Sequence, residues 1–153
     1  MLMRALVVAI GIILVPYAAK ADPALSRYPL MAYSEATDAA PLPSKCFNAA
    51  AREQAAVAMR LYEDGNYDDA YRYAGSSFMY DGSCHLGQGD DRAGGDAMFV
   101  VALVQARRGH QHAANVDVGI ATAEYRFCVE RPRRAGDVTY CKSMISRIDS
   151  MSR

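Results

Sequence analysis

The chain has 153 residues, with 17 basic and 17 acidic side chains and an isoelectric point near 6.8. It lacks the basic excess with which proteins displace counterions from a phosphate backbone, so nucleic acid is not an expected partner. The length fits one domain around one core and leaves little room for a second.

Residues 1–21 read as a bacterial-type signal peptide: Arg4 supplies the positive start, residues 5–15 are an unbroken apolar run, and Ala19-Lys20-Ala21 forms a small-x-small site with cleavage expected after Ala21. A spanning helix needs ~20 apolar residues, and Pro16 ends this run well short of that. Cleavage removes Arg4 and Lys20, leaving 15 basic against 17 acidic groups, a net charge of −2. The expected location is periplasmic or secreted, with no stable membrane anchor after cleavage. Residues 22–45 carry Pro23, Pro29, Pro41 and Pro43 without a sustained period, as in a flexible Pro/Ala-rich tail. Tyr28, Leu30, Met31 and Tyr33 within it are apolar enough to pack on a domain surface. The folded domain is expected over residues 46–153.

From Cys46 the pattern is helical throughout. In the first helix Val57 and Leu61 continue a stripe that Gln54 interrupts, while Ala55, Ala56, Ala58 and Met59 bring high helix propensity. In the second, Tyr67, Ala70, Tyr71, Ala74 and Phe78 recur at helical spacing along one face. Gly65 separates the two and suits the left-handed residue that ends a helix, with Asn66 or Asp68 placed to cap the next. Residues 81–95 hold five glycines and three aspartates and are expected to form a loop. The third helix then starts at Asp96 as N-cap and is apolar nearly all round to Ala106, which demands cover on several sides. Arg107, Arg108 and Gly109 end it.

The fourth helix carries two apolar stripes. One is Ala114, Val118, Ala121 and Tyr125; the other is Val116, Ile120, Ala123 and Phe127, and together they imply neighbours on two sides. After a break at residues 131–136, a last helix from about Asp137 places Cys141, Met144, Ile145, Ile148 and Met151 on one face. A one-sided terminal helix is what a cap requires. The four cysteines of an exported chain imply two disulfides, with three connectivities open, since their spacing does not suit zinc.

Residues 51–78 laid over residues 95–122 bring Gly65 onto Gly109, Ala58 onto Ala102 and Ala70 onto Ala114, an internal repeat at a 44-residue offset. The stretch GNYDDAYRYA (residues 65–74) resembles the turn and second helix of a tetratricopeptide repeat. Departures occur at Gln54 and Gln111, which replace usual aromatics, at Asn66, and at Gly82 where that family places proline. The resemblance implies an all-α fold, a short α-solenoid of two helical hairpins closed by a C-terminal capping helix. In that register Cys46 and Cys84 lie nineteen residues on either side of Gly65, so equal out-and-back helices return them to one end and pair them. Cys128 and Cys141 then clamp the cap.

Residues for catalysis or metal binding are sparse. His110 and His112 are two apart and diverge on a helix, His85 stands beside a cysteine expected in a disulfide, and the 89–96 glycine-aspartate stretch is a single irregular copy. Arg131, Arg133 and Arg134 are too few for a polybasic anchor. No catalytic residue, metal or cofactor is therefore expected. The resemblance instead implies a concave face lined by first helices, mapping here onto Arg52, Met59, Tyr62, Glu63, Phe99, Leu103 and Arg107. The expected function is a non-catalytic module that binds a protein or peptide in its own compartment. The alternative is an inhibitor or immunity-type protein that blocks an enzyme through the glycine-acid loop. Self-association through the apolar third helix stays open.

Overall fold

A computed structural model of the chain describes residues 26–31, 46–82, 84 and 88–152. The expected signal peptide lies outside the described residues. Within them the chain is all-α, with five helices: α1 (Asn48–Glu63), α2 (Tyr67–Gly82), α3 (Asp91–Arg107), α4 (Gln111–Glu130) and α5 (Asp137–Met151). Each packs on its neighbour in sequence, and α1 also packs on α3.

The two tight turns share one geometry. Gly65 (φ 81°) and Gly109 (φ 80°) both adopt the left-handed conformation that a Cβ would disfavour. The amides of Gly65 and Asn66 donate to the carbonyls of Tyr62 (3.1 Å) and Leu61 (2.8 Å). Those of Gly109 and His110 donate to Ala106 (3.1 Å) and Gln105 (3.0 Å). This double bond pattern satisfies carbonyls that a helix end leaves orphaned, and it recurs at the offset seen in the sequence.

Both expected disulfides are present. Cys46–Cys84 joins the open end of the α1–α2 hairpin with a Cα separation of 4.4 Å, and Cys128–Cys141 ties α4 to α5 at 6.3 Å. The core lies where α1–α5 meet, with Val57, Leu61, Met98, Val101, Val104, Tyr125, Met144 and Ile148 all buried. The apolar girth of α3 is consumed there: Ala97 through Ala102 are buried within the single chain, so little of it remains for self-association.

The structure corrects the expected start of α3. The helix begins at Asp91 rather than after Asp96, because the Asp90 carboxylate accepts from the Ala93 amide (3.2 Å) and caps it earlier. Gly94 and Gly95 thus lie inside a helix, where glycine is usually unfavourable. Close packing explains them. A Cβ on Gly95 would fall 2.6 Å from the Tyr125 ring, and one on Gly94 would meet the Asp81 and Glu124 carboxylates at 3.1 and 3.2 Å. Asp96 accordingly sits within α3, where its Oδ1 accepts from the hydroxyls of Tyr125 and Tyr140, both at 2.8 Å.

Residues 26–31, expected within a flexible tail, are held against α1 and α2. Gln54 is fully buried, and its amide donates to the carbonyls of Tyr28 (3.1 Å) and Pro29 (3.0 Å). Tyr80 Oη donates to Pro29 (3.0 Å), the Met31 amide donates to Ser76 Oγ (2.6 Å), and Arg27 pairs with Glu53 (2.7 Å). The residue that interrupts the apolar stripe of α1 therefore does so to bind backbone.

Candidate functional site

The N-terminal ends of α1, α3 and α5 meet in a charged cluster around Arg52. Its side chain is 12% exposed and forks onto two carboxylates: Nε and Nη2 donate to Asp90 (2.6 Å each), while Nη1 and Nη2 donate to Asp137 (2.9 and 3.0 Å). Burial opposes the guanidinium's charge, but the hydrogen bonds it donates to Asp137 and Asp90 raise its pKa overall. Asp137 also accepts from the amides of Arg133 (3.1 Å) and Arg134 (2.8 Å). The Arg52 bonds hold its carboxyl far below the usual carboxylate range. Arg52, expected on the concave binding face, is thus engaged inside the fold.

A second acidic group lies beside it. Asp81, whose Oδ1 accepts from the Asp90 amide (2.6 Å), is raised to about 6 by burial, and Glu124 is raised to about 7 by burial and the charges of Asp81 and Asp91. Among the described residues no three His, Cys, Asp or Glu side chains are placed to hold a metal ion. His110 Nδ1 is hydrogen-bonded to Gln105 (2.7 Å), and all four cysteines are in disulfides. The glycine-acid stretch is tied down as well: the Gln88 carbonyl accepts from Asn48 (2.8 Å), that of Gly89 accepts from Arg133 (3.1 Å), and residues 91–94 belong to α3.

At the opposite end the helices leave a groove of about 400 Å³ between the second half of α3, the first half of α4 and the end of α5. Phe99, Ala102, Leu103 and Ala106 come from α3, Ala114 and Val118 from α4, and Ile148 and Met151 from α5. Gln111, Asn115 and Ser152 provide polar positions. Phe99 has no accessible surface and forms the floor, with the Arg147 guanidinium 5.4 Å from its ring, while Leu103 is half-buried in the wall and Met151 is 57% exposed at the rim. This mixture of apolar lining and a few polar groups is how pockets grip an apolar ligand and orient it.

The seven expected binding residues fall into separate places. Phe99 and Leu103 share the groove. Tyr62 and Arg107 converge on Tyr67, with Tyr62 5.2 Å from it ring to ring and the Arg107 guanidinium 4.0 Å over the same ring, so they form a surface cluster near the α1–α2 turn. Met59 is partly buried against the core and Glu63 is exposed. The α4 and α5 walls lie outside the first-helix register that the resemblance implies; the one-sided apolar face of α5, running on to Met151, was the available signal.

No protein-family model, curated protein or solved structure matches the chain.

Proposed function

We propose that the protein is an exported, non-catalytic interaction module of tetratricopeptide-like construction that receives an apolar side chain of a peptide or protein partner in the α3–α4–α5 groove. The groove carries this reading: it joins two independently expected binding residues, Phe99 and Leu103, in a concave apolar volume with polar groups at its edge. The two disulfides suit an oxidising compartment, in keeping with the N-terminal export pattern. Among the described residues no helix is long and apolar enough to cross a membrane.

Selection from a displayed random-peptide library tests the proposal. The wild-type chain should enrich peptides built around one or two large apolar anchors, and Leu103→Glu should abolish that enrichment by placing a charge in the wall. Selected peptides whose binding is indifferent to Leu103→Glu, or no enrichment at all, would overturn it.

A further inference from the structure

Residues 26–31 are held chiefly by their backbone. Glu53 and Gln54 of α1 and Ser76 and Tyr80 of α2 engage the Arg27 amide (2.6 Å), the Tyr28 and Pro29 carbonyls and the Met31 amide. The segment's apolar side chains contribute less: Pro29 and Leu30 are exposed, while Tyr28 and Met31 lean on the small cluster that contains Ala50, Ala51, Ala55 and Tyr80. A segment belonging to the core would bury its side chains. This one is read through amides and carbonyls, which is how grooves grip extended peptides. The receiving surface is correspondingly polar, since Gln54 and Ser76 have no accessible surface and yet carry hydrogen-bonding groups. Gln54 Oε1 is buried and accepts from nothing among the described residues, so the segment leaves one acceptor of that surface unused. Two side chains add selectivity. The Glu53 carboxylate takes two bonds from the Arg27 guanidinium (2.7 and 2.8 Å), and the Tyr28 ring lies edge-on to Tyr80 at 6.4 Å.

We propose that this α1–α2 surface is a second peptide-recognition site, separate from the α3–α4–α5 groove, occupied in the free protein by the chain's own residues 26–31 as a tethered ligand. Its partner presents an extended segment with a basic residue followed by an aromatic one, matched to Glu53 and Tyr80. Fourteen residues, 32–45, connect the tethered segment to Cys46, which the first disulfide fixes beside the same hairpin. A tether of that length sets an effective concentration on the order of 1 mM, so the segment shuts out weak competitors and yields to a tighter one.

The full oxidised chain, with a protease site placed between residues 36 and 42 and cut after folding, gives the test. The cut protein should exchange its N-terminal fragment for a fluorescent peptide of residues 24–33, read by anisotropy, and the uncut chain should take that peptide at least tenfold more weakly. Gln54→Leu should weaken peptide binding at least tenfold with an unchanged helical spectrum, because leucine suits the apolar stripe of α1 but carries no donor. Glu53→Lys should weaken it several-fold, and a peptide carrying Arg27→Glu should recover the loss, which a non-specific apolar contact would not produce. Leu103→Glu should leave the exchange unaltered, so failure here is distinct from failure of the groove. A fragment that stays bound against a hundredfold excess of peptide, one that leaves without the peptide taking its place, or binding indifferent to both Gln54→Leu and Glu53→Lys overturns the proposal.

Discussion

The two ends of the helical stack are built on opposite principles. At one end Arg52 binds Asp90 and Asp137, drawing the starts of α1, α3 and α5 together, and Cys46–Cys84 closes the hairpin beside them. At the other end the helices separate around Phe99 and Leu103 and leave a groove with no ion pair among its lining residues. Acidic residues at helix starts also complement the helix dipoles, so the closed end gathers charge where charge is tolerated. The comparison teaches that order is fixed at one end while a concave apolar surface is exposed at the other, an arrangement suited to a preorganised binding site.

Breaking the closed end should have the largest effect. Arg52→Ala leaves the buried Asp90 carboxylate without its ion-pair partner and Asp137 with Arg92 alone (3.3 Å), and should cost roughly 3–5 kcal/mol, measured by urea denaturation of the oxidised protein. Replacing Cys46 and Cys84 together by serine frees a loop whose ends are 38 residues apart, for an expected loss of about 4 kcal/mol. The Cys128–Cys141 pair, separated by 13, should account for about 3 kcal/mol in the same assay. Gly95→Ala pushes a methyl group into the Tyr125 ring and should destabilise by about 1–3 kcal/mol, although alanine is the better helix former.

The smallest expected effect sharpens the comparison through pH. Glu124 has a folded pKa of about 7, above its ordinary 4.5, so the folded state binds that proton more tightly than the unfolded chain. Its contribution to stability is therefore complete below about pH 4.5 and declines as pH rises towards 7. Asp81 acts in the same sense between 3.8 and about 6. Asp137, held low, acts oppositely and loses its contribution only in stronger acid. Thermal melts should show higher stability at pH 5 than at pH 8. Glu124→Gln should flatten that slope and stabilise the protein at pH 8 by about 1 kcal/mol, partial solvent exposure screening the rest.

Local signals made part of this fold legible in the sequence. Gly65 and Gly109 marked both turns, because a left-handed helix end is a property of one residue and its neighbours. Equal helix lengths about Gly65 then paired Cys46 with Cys84, and the one-sided pattern after Asp137 marked α5. What escaped depends on distant partners. Gly94 and Gly95 suggested a loop because nothing nearby in sequence shows the Tyr125 ring and Glu124 carboxylate that require small residues there. Gln54 looked like a defect in a stripe because its partners, the Tyr28 and Pro29 carbonyls, lie 25 or more residues away. Arg52 looked like a surface cation for the same reason. Phe99 and Leu103 were found, but the α4 and α5 walls that make them a groove arise from tertiary packing.

The proposed groove is tested most directly by an amide-detected NMR titration of the isotopically labelled oxidised chain with a library-selected apolar peptide. Binding in the groove predicts the largest shifts at Leu103, Asn115, Val118 and Met151, with Arg52 and Asp137 unmoved. Shifts centred on Tyr62, Tyr67 and Arg107, or spread along the face of Val116 and Phe127, would contradict it.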